Sequence, residues 1–403
     1  MPWDATSVDR LKMDFIRDWF EGEDPRTVIC ARYGISRETG YKWAARFSEH
    51  GVLGLAERSR APLKHGRAMS AQIAVKLIEA RRAKPYWGPK KLLRTLKDRE
   101  PDLTWCSLSA ASALFRREGL SQPRRCRRRP LRSDLPFSEA RSANDIWCID
   151  FKGWFKTADG RRCDPFTVTD AHSRMLLALQ IMRPTGEAVQ AKMDELFASH
   201  GLPQAIRSDN GAPFASSGAG GLTRLSARWA KMGIRLERIE PGQPQQNGRH
   251  ERMHGTLKAQ ACQPPSADPQ AQQARFDAFR SEYNEERPHE GIDLRTPYSL
   301  YTRSPRLMPE TIEEPSYDDD EVVRRVRTSG EIKWRGSMIF VSEVIAGEPV
   351  ALRQRSDGHW IVRFADVPLL LIDRATGKPS RFGPGRPPRT KSETQTSPDL
   401  SAM

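Results

Sequence analysis

Two words decide how this chain reads: Q-A-I-R-S-D-N-G, from Gln204 to Gly211, and P-G-Q-P-Q-Q-N-G-R-H-E-R-M-H-G-T-L-K, from Pro241 to Lys258. The first is a short apolar run that closes on Asp209. The second turns at Gln246-Asn247-Gly248 and puts Glu251 in the first turn of an expected helix, where the macrodipole favours a carboxylate. A third carboxylate, Asp150, lies upstream in W-C-I-D-F-K-G, where Trp147, Ile149 and Phe151 alternate as in a strand. In α/β sheets, ligands collect at the carboxyl ends of strands. Three carboxylates that meet there would suit hard divalent ions, which prefer oxygen ligands. Two such ions about 4 Å apart can activate an attacking oxygen and stabilise a leaving one.

The same stretch carries a rival pattern. His250-Glu251-Arg252-Met253-His254 matches H-E-x-x-H, the zinc-peptidase motif with two histidine ligands and a glutamate base. That motif needs a third ligand downstream, for which His289 is the candidate. Gly248 and Gly255 bracket the motif closely, whereas zinc peptidases set it inside a longer helix.

Composition weighs against a peptidase. The 403 residues carry 66 Lys and Arg against 51 Asp and Glu, a net charge of +15. Residues 1–140 hold 29 basic and 17 acidic residues, so 29 − 17 = +12 of that charge lies in the first third. Basicity concentrated this way points to a polyanion, most often nucleic acid. The six cysteines form no C-x-x-C pair, so neither a disulfide framework nor a structural zinc site is expected. The longest apolar run, Met175 to Met182, is too short to cross a bilayer. The first residues lack a basic region followed by an apolar one, so the expectation is a cytoplasmic, nucleoid-associated protein of bacterial type.

Two helical units are expected before the carboxylates. In residues 1–60, Asp24-Pro25 starts one helix, with Val28, Ile29 and Ala31 inward, and Gly34 stops it. Ser36 caps a second, R-E-T-G-Y-K-W-A-A-R-F, giving a helix-turn-helix pattern. Arg37, Thr39, Lys42 and Arg46 would face DNA. Gly40 sits oddly inside that helix, since glycine costs about 1 kcal/mol against alanine there. Residues 66–122 repeat the theme with three helices, starting near Ser70, Pro89 and Ser107 or Ser109, in a winged or unwinged helix-turn-helix. Lys90 and Lys91 are its candidate DNA contacts, while Trp87 and Trp105 are expected in the core. The linker over 123–139 includes Arg124, Arg125, Arg127, Arg128 and Arg129, which can neutralise phosphates.

Residues 140–302 read as a mixed α/β domain with about five strands, and 322–375 as a small β-barrel of short strands and Gly turns. Between them, Asp318, Asp319 and Asp320 read as a solvated acidic run. The tail over 380–403 has a disordered composition.

W-x-x-D at 147–150, S-D-N-G at 208–211, the Q-N-G-R-H-E-R word ending at Arg252, and Y-N-x-x-R-P-H at 283–289 together resemble insertion-sequence transposases of the DDE type. Their catalytic core is retroviral-integrase-like, with a ribonuclease-H-like fold, and the resemblance covers about residues 140–300. It implies that Asp150, Asp209 and Glu251 are the catalytic and metal-binding carboxylates. It also implies two Mg2+ or Mn2+ ions, and that Lys258 contacts substrate DNA. Asn247, Arg249 and His254 join it as expected DNA contacts. The implied function is nicking the ends of a mobile element and joining their 3′-hydroxyls to target DNA, with a homo-oligomer on double-stranded DNA. A catalytically silent DNA-binding regulator or a domesticated transposase is the main alternative. The spacing departs from the family: 41 residues separate Asp209 from Glu251, more than is usual. Phe214 to Ser226, rich in Gly and small residues, is expected to hold the excess as a flexible insertion.

Overall fold

The structure, a computed structural model, describes residues 8–57, 69–121, 139–239 and 248–381. The arginine-rich run from Arg124 to Arg129, Asn247 and the tail from 382 lie outside the described residues. The chain forms two compact units, residues 1–70 and 71–403.

The first unit is three helices, α1 (Val8–Glu21), α2 (Arg26–Arg32) and α3 (Arg37–His50), closed by a 3-10 turn at Gly51–Leu55. Phe15, Ile16 and Trp19 of α1 pack on Ile29 and Cys30 of α2 and on Trp43 of α3. Pro25 takes the cap position rather than the first turn of α2. The short helix turns Ile29 and Cys30 inward, and Val28 and Ala31, expected inside, are exposed. Gly34 leaves α2 at φ +64°, and the Ser36 hydroxyl accepts from the Thr39 amide to cap α3. Gly40 is a site of close approach. A Cβ there would lie 2.6 Å from Cys30 Sγ and 3.0 Å from the Trp19 ring, so the glycine lets α3 seat on α1 and α2.

The second unit opens with α4 (Ala71–Ala83), α5 (Pro89–Arg99) and α6 (Leu108–Arg117). Pro89 stands in the first turn of α5, and Ser107, not Ser109, caps α6. No strand lies among the described residues from 69 to 121, so this helix-turn-helix has no wing there. Trp87 is buried and its Nε1 donates to Glu282 Oε1 at 3.1 Å. Trp105 is only half-buried.

The central domain is built on β1 (Ile146–Phe151), a small hairpin β2 (Phe155–Lys156) and β3 (Arg162–Cys163), β4 (Pro165–Asp170) and β5 (Leu176–Ile181). It continues through α7 (Gly186–His200), β6 (Ala205–Ser208), α8 (Arg224–Lys231) and β7 (Arg235–Arg238). The sheet runs β5-β4-β1-β6-β7. Pairing is antiparallel from β5 to β1 and parallel from β1 to β7, the ribonuclease-H-like arrangement. α7 and α8 cover one face through Val189, Met193, Phe197, Leu225 and Trp229. α9 (Gly248–Leu257) and α10 (Pro269–Ser281) cover the other, where Met253, Leu257, Phe276 and Phe279 meet Leu176 and Leu179. α10 ends at Ser281 and widens into a π turn, Glu282–Glu286. Asn284 then brackets Leu176, accepting from its amide at 2.8 Å and donating to its carbonyl at 3.0 Å, which satisfies the sheet edge.

The C-terminal strands are β8 (Val322–Arg325), β9 (Glu331–Trp334), β10 (Ser337–Phe340), β11 (Pro349–Gln354), β12 (Trp360–Phe364), β13 (Val367–Ile372) and β14 (Pro379–Arg381). In place of a closed barrel there is a five-stranded antiparallel sheet and a separate β9–β10 hairpin sharing one core. β14 shows that chain order continues to Arg381, past the expected start of the tail.

The insertion between Asp209 and Glu251 is not loose. Ala219 and Leu222 are buried in the C-terminal core, beside Leu369. Arg238 Nη1 and Nη2 donate to the carbonyls of Gly220 and Gly221, and Ser216 Oγ donates to that of Leu222. Thr223 and Ser226 then form a capping box for α8. Glycine here serves close packing: a Cβ on Gly220, at φ +57°, would lie 2.7 Å from Leu369.

Candidate active site

β1 and β6 carry the first two carboxylates. Their parallel register sets Cys148 opposite Arg207, so two residues on, Asp150 and Asp209 leave the same sheet edge side by side. Asp209 Oδ1 accepts from the Gly211 amide at 3.1 Å, and the Asn210 amide side chain donates to the Ile239 carbonyl. A Cβ on Gly211 would lie 3.1 Å from that carboxylate, so the S-D-N-G word describes a turn that aims Asp209. Glu251 stands exposed in the first turn of α9.

The three share one electrostatic neighbourhood. The Asp150 carboxyl is pushed up to about 7, first by burial, then by the charge of Asp209, with a smaller push from Glu251. The Phe151 amide opposes this by hydrogen bonding. Among the described residues no lysine or arginine forms an ion pair with any of the three; His254 Nδ1 lies 3.8 Å from Asp150 Oδ2.

The two histidines of H-E-x-x-H face inward. Thr167 Oγ1 donates to the Asp150 carbonyl at 3.0 Å and lies 2.8 Å from Nε2 of both His250 and His254. With its one hydrogen committed, the hydroxyl accepts from both rings. His250 Nδ1 is 2.7 Å from Thr169 Oγ1 and so accepts there. Both ring nitrogens of His250 are thereby used, and its burial holds it well below the usual imidazole range. His254 is pulled down to about 4, by burial and then by Lys152. Its Nδ1 faces Asp150, so the ring that the sequence offered as a DNA contact lies mostly buried beside that carboxyl.

Ligand atoms of Asp150, His250 and His254 do lie within 4.8 Å of one another. A zinc peptidase, however, needs His250 as a ligand, and two threonines already occupy it. His289, the expected third ligand, has Nε2 3.1 Å from the Tyr283 carbonyl.

The remaining expected DNA contacts are dispersed. Arg37 and Lys42 are exposed on α3, with Thr39 and Arg46 half-buried; Lys42 and Arg46 lie 5.4 and 5.1 Å from the Trp43 ring. On α5, Lys90 is exposed and Lys91 half-buried. Arg249 is exposed and donates to the Ala171 carbonyl at 3.3 Å. Lys258 is exposed, but it begins a π turn, Lys258–Cys262, instead of extending α9. The sequence reading missed Thr167 and Thr169. Their signal was the period-two T-V-T of β4, which puts both hydroxyls on one face against His250 and His254 at helical spacing.

Models of the integrase core domain match residues 140–244 and 232–297, and helix-turn-helix and homeodomain-like models match 11–62 and 39–115. The chain is 28% identical over 231 residues to an uncharacterized 31.7 kDa protein of insertion element IS407 from Burkholderia multivorans, covering 56% of this chain and 79% of that one. It is 26% identical over 253 residues to an uncharacterized 39.2 kDa protein of insertion element IS476 from Xanthomonas euvesicatoria, covering 60% and 69%. Among solved structures, the HTLV-2 integrase catalytic core in complex with magnesium aligns at TM-score 0.31 and 16% identity, over 41% of this chain and all of that one. A simian T-cell lymphotropic virus intasome in complex with a PP2A regulatory subunit aligns at 0.34 and 18%, over 66% and 91%.

The chain is thus an integrase-core protein with helix-turn-helix units ahead of the core. Over residues 140–297 it carries the integrase core domain, and it is similar to proteins of insertion elements. The integrase core domain supports a polynucleotidyl transferase acting in DNA integration or transposition. No described helix is long and apolar enough to cross a membrane.

Proposed function

We propose that the protein binds the ends of a mobile DNA element, nicks them, and joins the freed 3′-hydroxyls to target DNA, with Asp150, Asp209 and Glu251 as the catalytic carboxylates. The observation that carries this is the Asp150 carboxyl, pushed up by burial and then by the charges of Asp209 and Glu251, with no lysine or arginine ion-paired to it among the described residues. Oxygen donors that repel one another at a sheet edge fit Mg2+ or Mn2+, two ions per site. Bound there, the ions would supply Lewis-acid stabilisation of the attacking and leaving oxygens.

The chain's own part is positioning. β1 and β6 fix Asp150 and Asp209 side by side, and α9 brings Glu251 against them. Thr167 fixes the His254 ring beside Asp150, with Nδ1 3.8 Å from Asp150 Oδ2. In the first step, water attacks phosphorus at the element end. The P–O3′ bond breaks, leaving a 3′-hydroxyl on the element and a 5′-phosphate on the flank. In the second, that hydroxyl attacks a target phosphodiester; one ester bond forms as one breaks, and the target leaves with a free 3′-hydroxyl. α3 and the second helix-turn-helix would hold the DNA, with Lys258 beside the reacting end, and pairing two ends implies a homo-oligomer.

A labelled duplex carrying the inverted repeat that flanks the coding region tests the first step. Asp150→Asn and Asp209→Asn should abolish nicking with Mg2+ or Mn2+ and leave DNA binding intact. Nicking by Asp209→Asn near the parent rate would overturn the assignment.

A further inference from the structure

We propose that the cavity enclosed by α5, α9 and the segment after α10 is a phosphate-binding site, occupied by a backbone phosphate of bound DNA. Only the source of that phosphate rests on the DNA-joining reading above. The cavity measures about 400 Å³. Lys91 of α5, Arg174 of the β4–β5 turn, Arg249 and Arg252 of α9, and Arg287 line it. Against these five cations stands one carboxylate, Glu290, exposed and 3.8 Å from Lys90.

Arg287 is the telling member. It is 7% exposed, and its Nη1 has no hydrogen-bond partner. A buried guanidinium nitrogen left unpaired costs free energy, and chains seldom keep one unless a partner arrives. Its neighbours bear the marks of crowding. Burial, then Arg249, pulls Arg174 down to about 10, and burial, then Arg287, pulls Lys91 down to about 8. A phosphate answers this arrangement, because guanidinium groups pair with its oxygens through two parallel hydrogen bonds.

The placement suits DNA. Arg249, Arg252 and Thr256 turn one side of α9 to the cavity, while His254 turns another towards Asp150. One helix therefore separates the carboxylates from the cations, and a strand that reaches Asp150 can seat a nearby phosphate behind α9. The cavity also depends on the second helix-turn-helix being docked. Trp87 donates to Glu282, and Lys84 pairs with Glu282 at 2.8 Å and with Glu286 at 3.1 Å. These contacts set Lys91 opposite Arg287.

The test is the salt dependence of duplex binding by the full chain and by Lys91→Gln, Arg252→Gln and the double variant. Each phosphate neutralised contributes about 0.9 to the slope of log affinity against log salt. Each single variant should lower the slope by up to about 0.9. The double variant should lower it no further, since the cations share one phosphate. Arg287→Met should weaken binding yet raise the melting temperature of the DNA-free protein. Calorimetric titration with inorganic phosphate separates the sources. Heat lost in the double variant, with DNA slopes unchanged, would keep the phosphate site and make free phosphate its occupant. Unchanged slopes together with no phosphate heat in the parent would overturn the proposal. A parent protein with pocket-dependent binding that joins no DNA would contradict the proposed reaction and leave the pocket standing.

Discussion

Asp150 sits where burial and two like charges act on one carboxyl, and its pushed-up pKa of about 7 has a direction that can be tested. The folded state holds this proton more tightly than an ordinary aspartate does, so the stability it contributes is present at low pH and lost as pH rises through about 7. The metal-free protein should therefore lose stability through this group between about pH 4 and 7. Asp150→Asn should remove that dependence. Metal competes with the same proton, so Mn2+ affinity should fall about tenfold per pH unit below 7. Titration calorimetry from pH 8 to 5.5 measures this, and a flat affinity would show that Asp150 is not a ligand. That Asp150, Asp209 and Glu251 come within one another's electrostatic reach was legible in the sequence, because each stands in a distinctive word. The roles of their neighbours were not. Sequence shows His250 and His254 four residues apart but not that Thr167 and Thr169, more than 80 residues upstream, consume their nitrogens. It shows Arg287 in a Pro-flanked word but not that the residue is buried with its Nη1 unpaired.

At the level of elements, caps and apolar runs located the strands and helices of the core, since β1, β4 and β5 are buried along consecutive residues and α7 buries one regular face. Two expectations failed for the same physical reason: local composition does not reveal a tertiary partner. Gly40 counted against α3 by helix propensity, yet it is where Cys30 and Trp19 approach. The Gly-rich run after Phe214 suggested flexibility, yet Ala219 and Leu222 are buried against the C-terminal sheet. This insertion ties the catalytic core to the β domain, which explains how extra residues fit between Asp209 and Glu251 without parting the carboxylates. Gly220→Val would strain a positive-φ position and drive a side chain into Leu369, at a cost of about 1–3 kcal/mol. Hydrogen exchange should show faster exchange in β13 and little change in β1. Unchanged β13 protection would show that the contact does not hold the two together.

For the whole molecule, charge and compactness divide the work. Residues 1–70 form their own unit, carrying a helix-turn-helix match. Deleting residues 1–57 should leave the second unit folded, with its cation cavity, and reduce discrimination between element ends and unrelated duplex at least tenfold. Competition binding measures it, and unchanged discrimination would place end recognition in the second unit. The central claim is that three carboxylates, not a histidine-bound zinc, perform the chemistry. The most direct measurement is strand joining by the full chain with pre-nicked element ends, target DNA and Mg2+ or Mn2+, alongside Glu251→Gln and a zinc assay of the purified protein. The account predicts joined product from the parent, none from Glu251→Gln at equal DNA occupancy, and no stoichiometric zinc. Joining by Glu251→Gln at the parent rate, or one zinc per chain that disappears in His254→Ala, would contradict it.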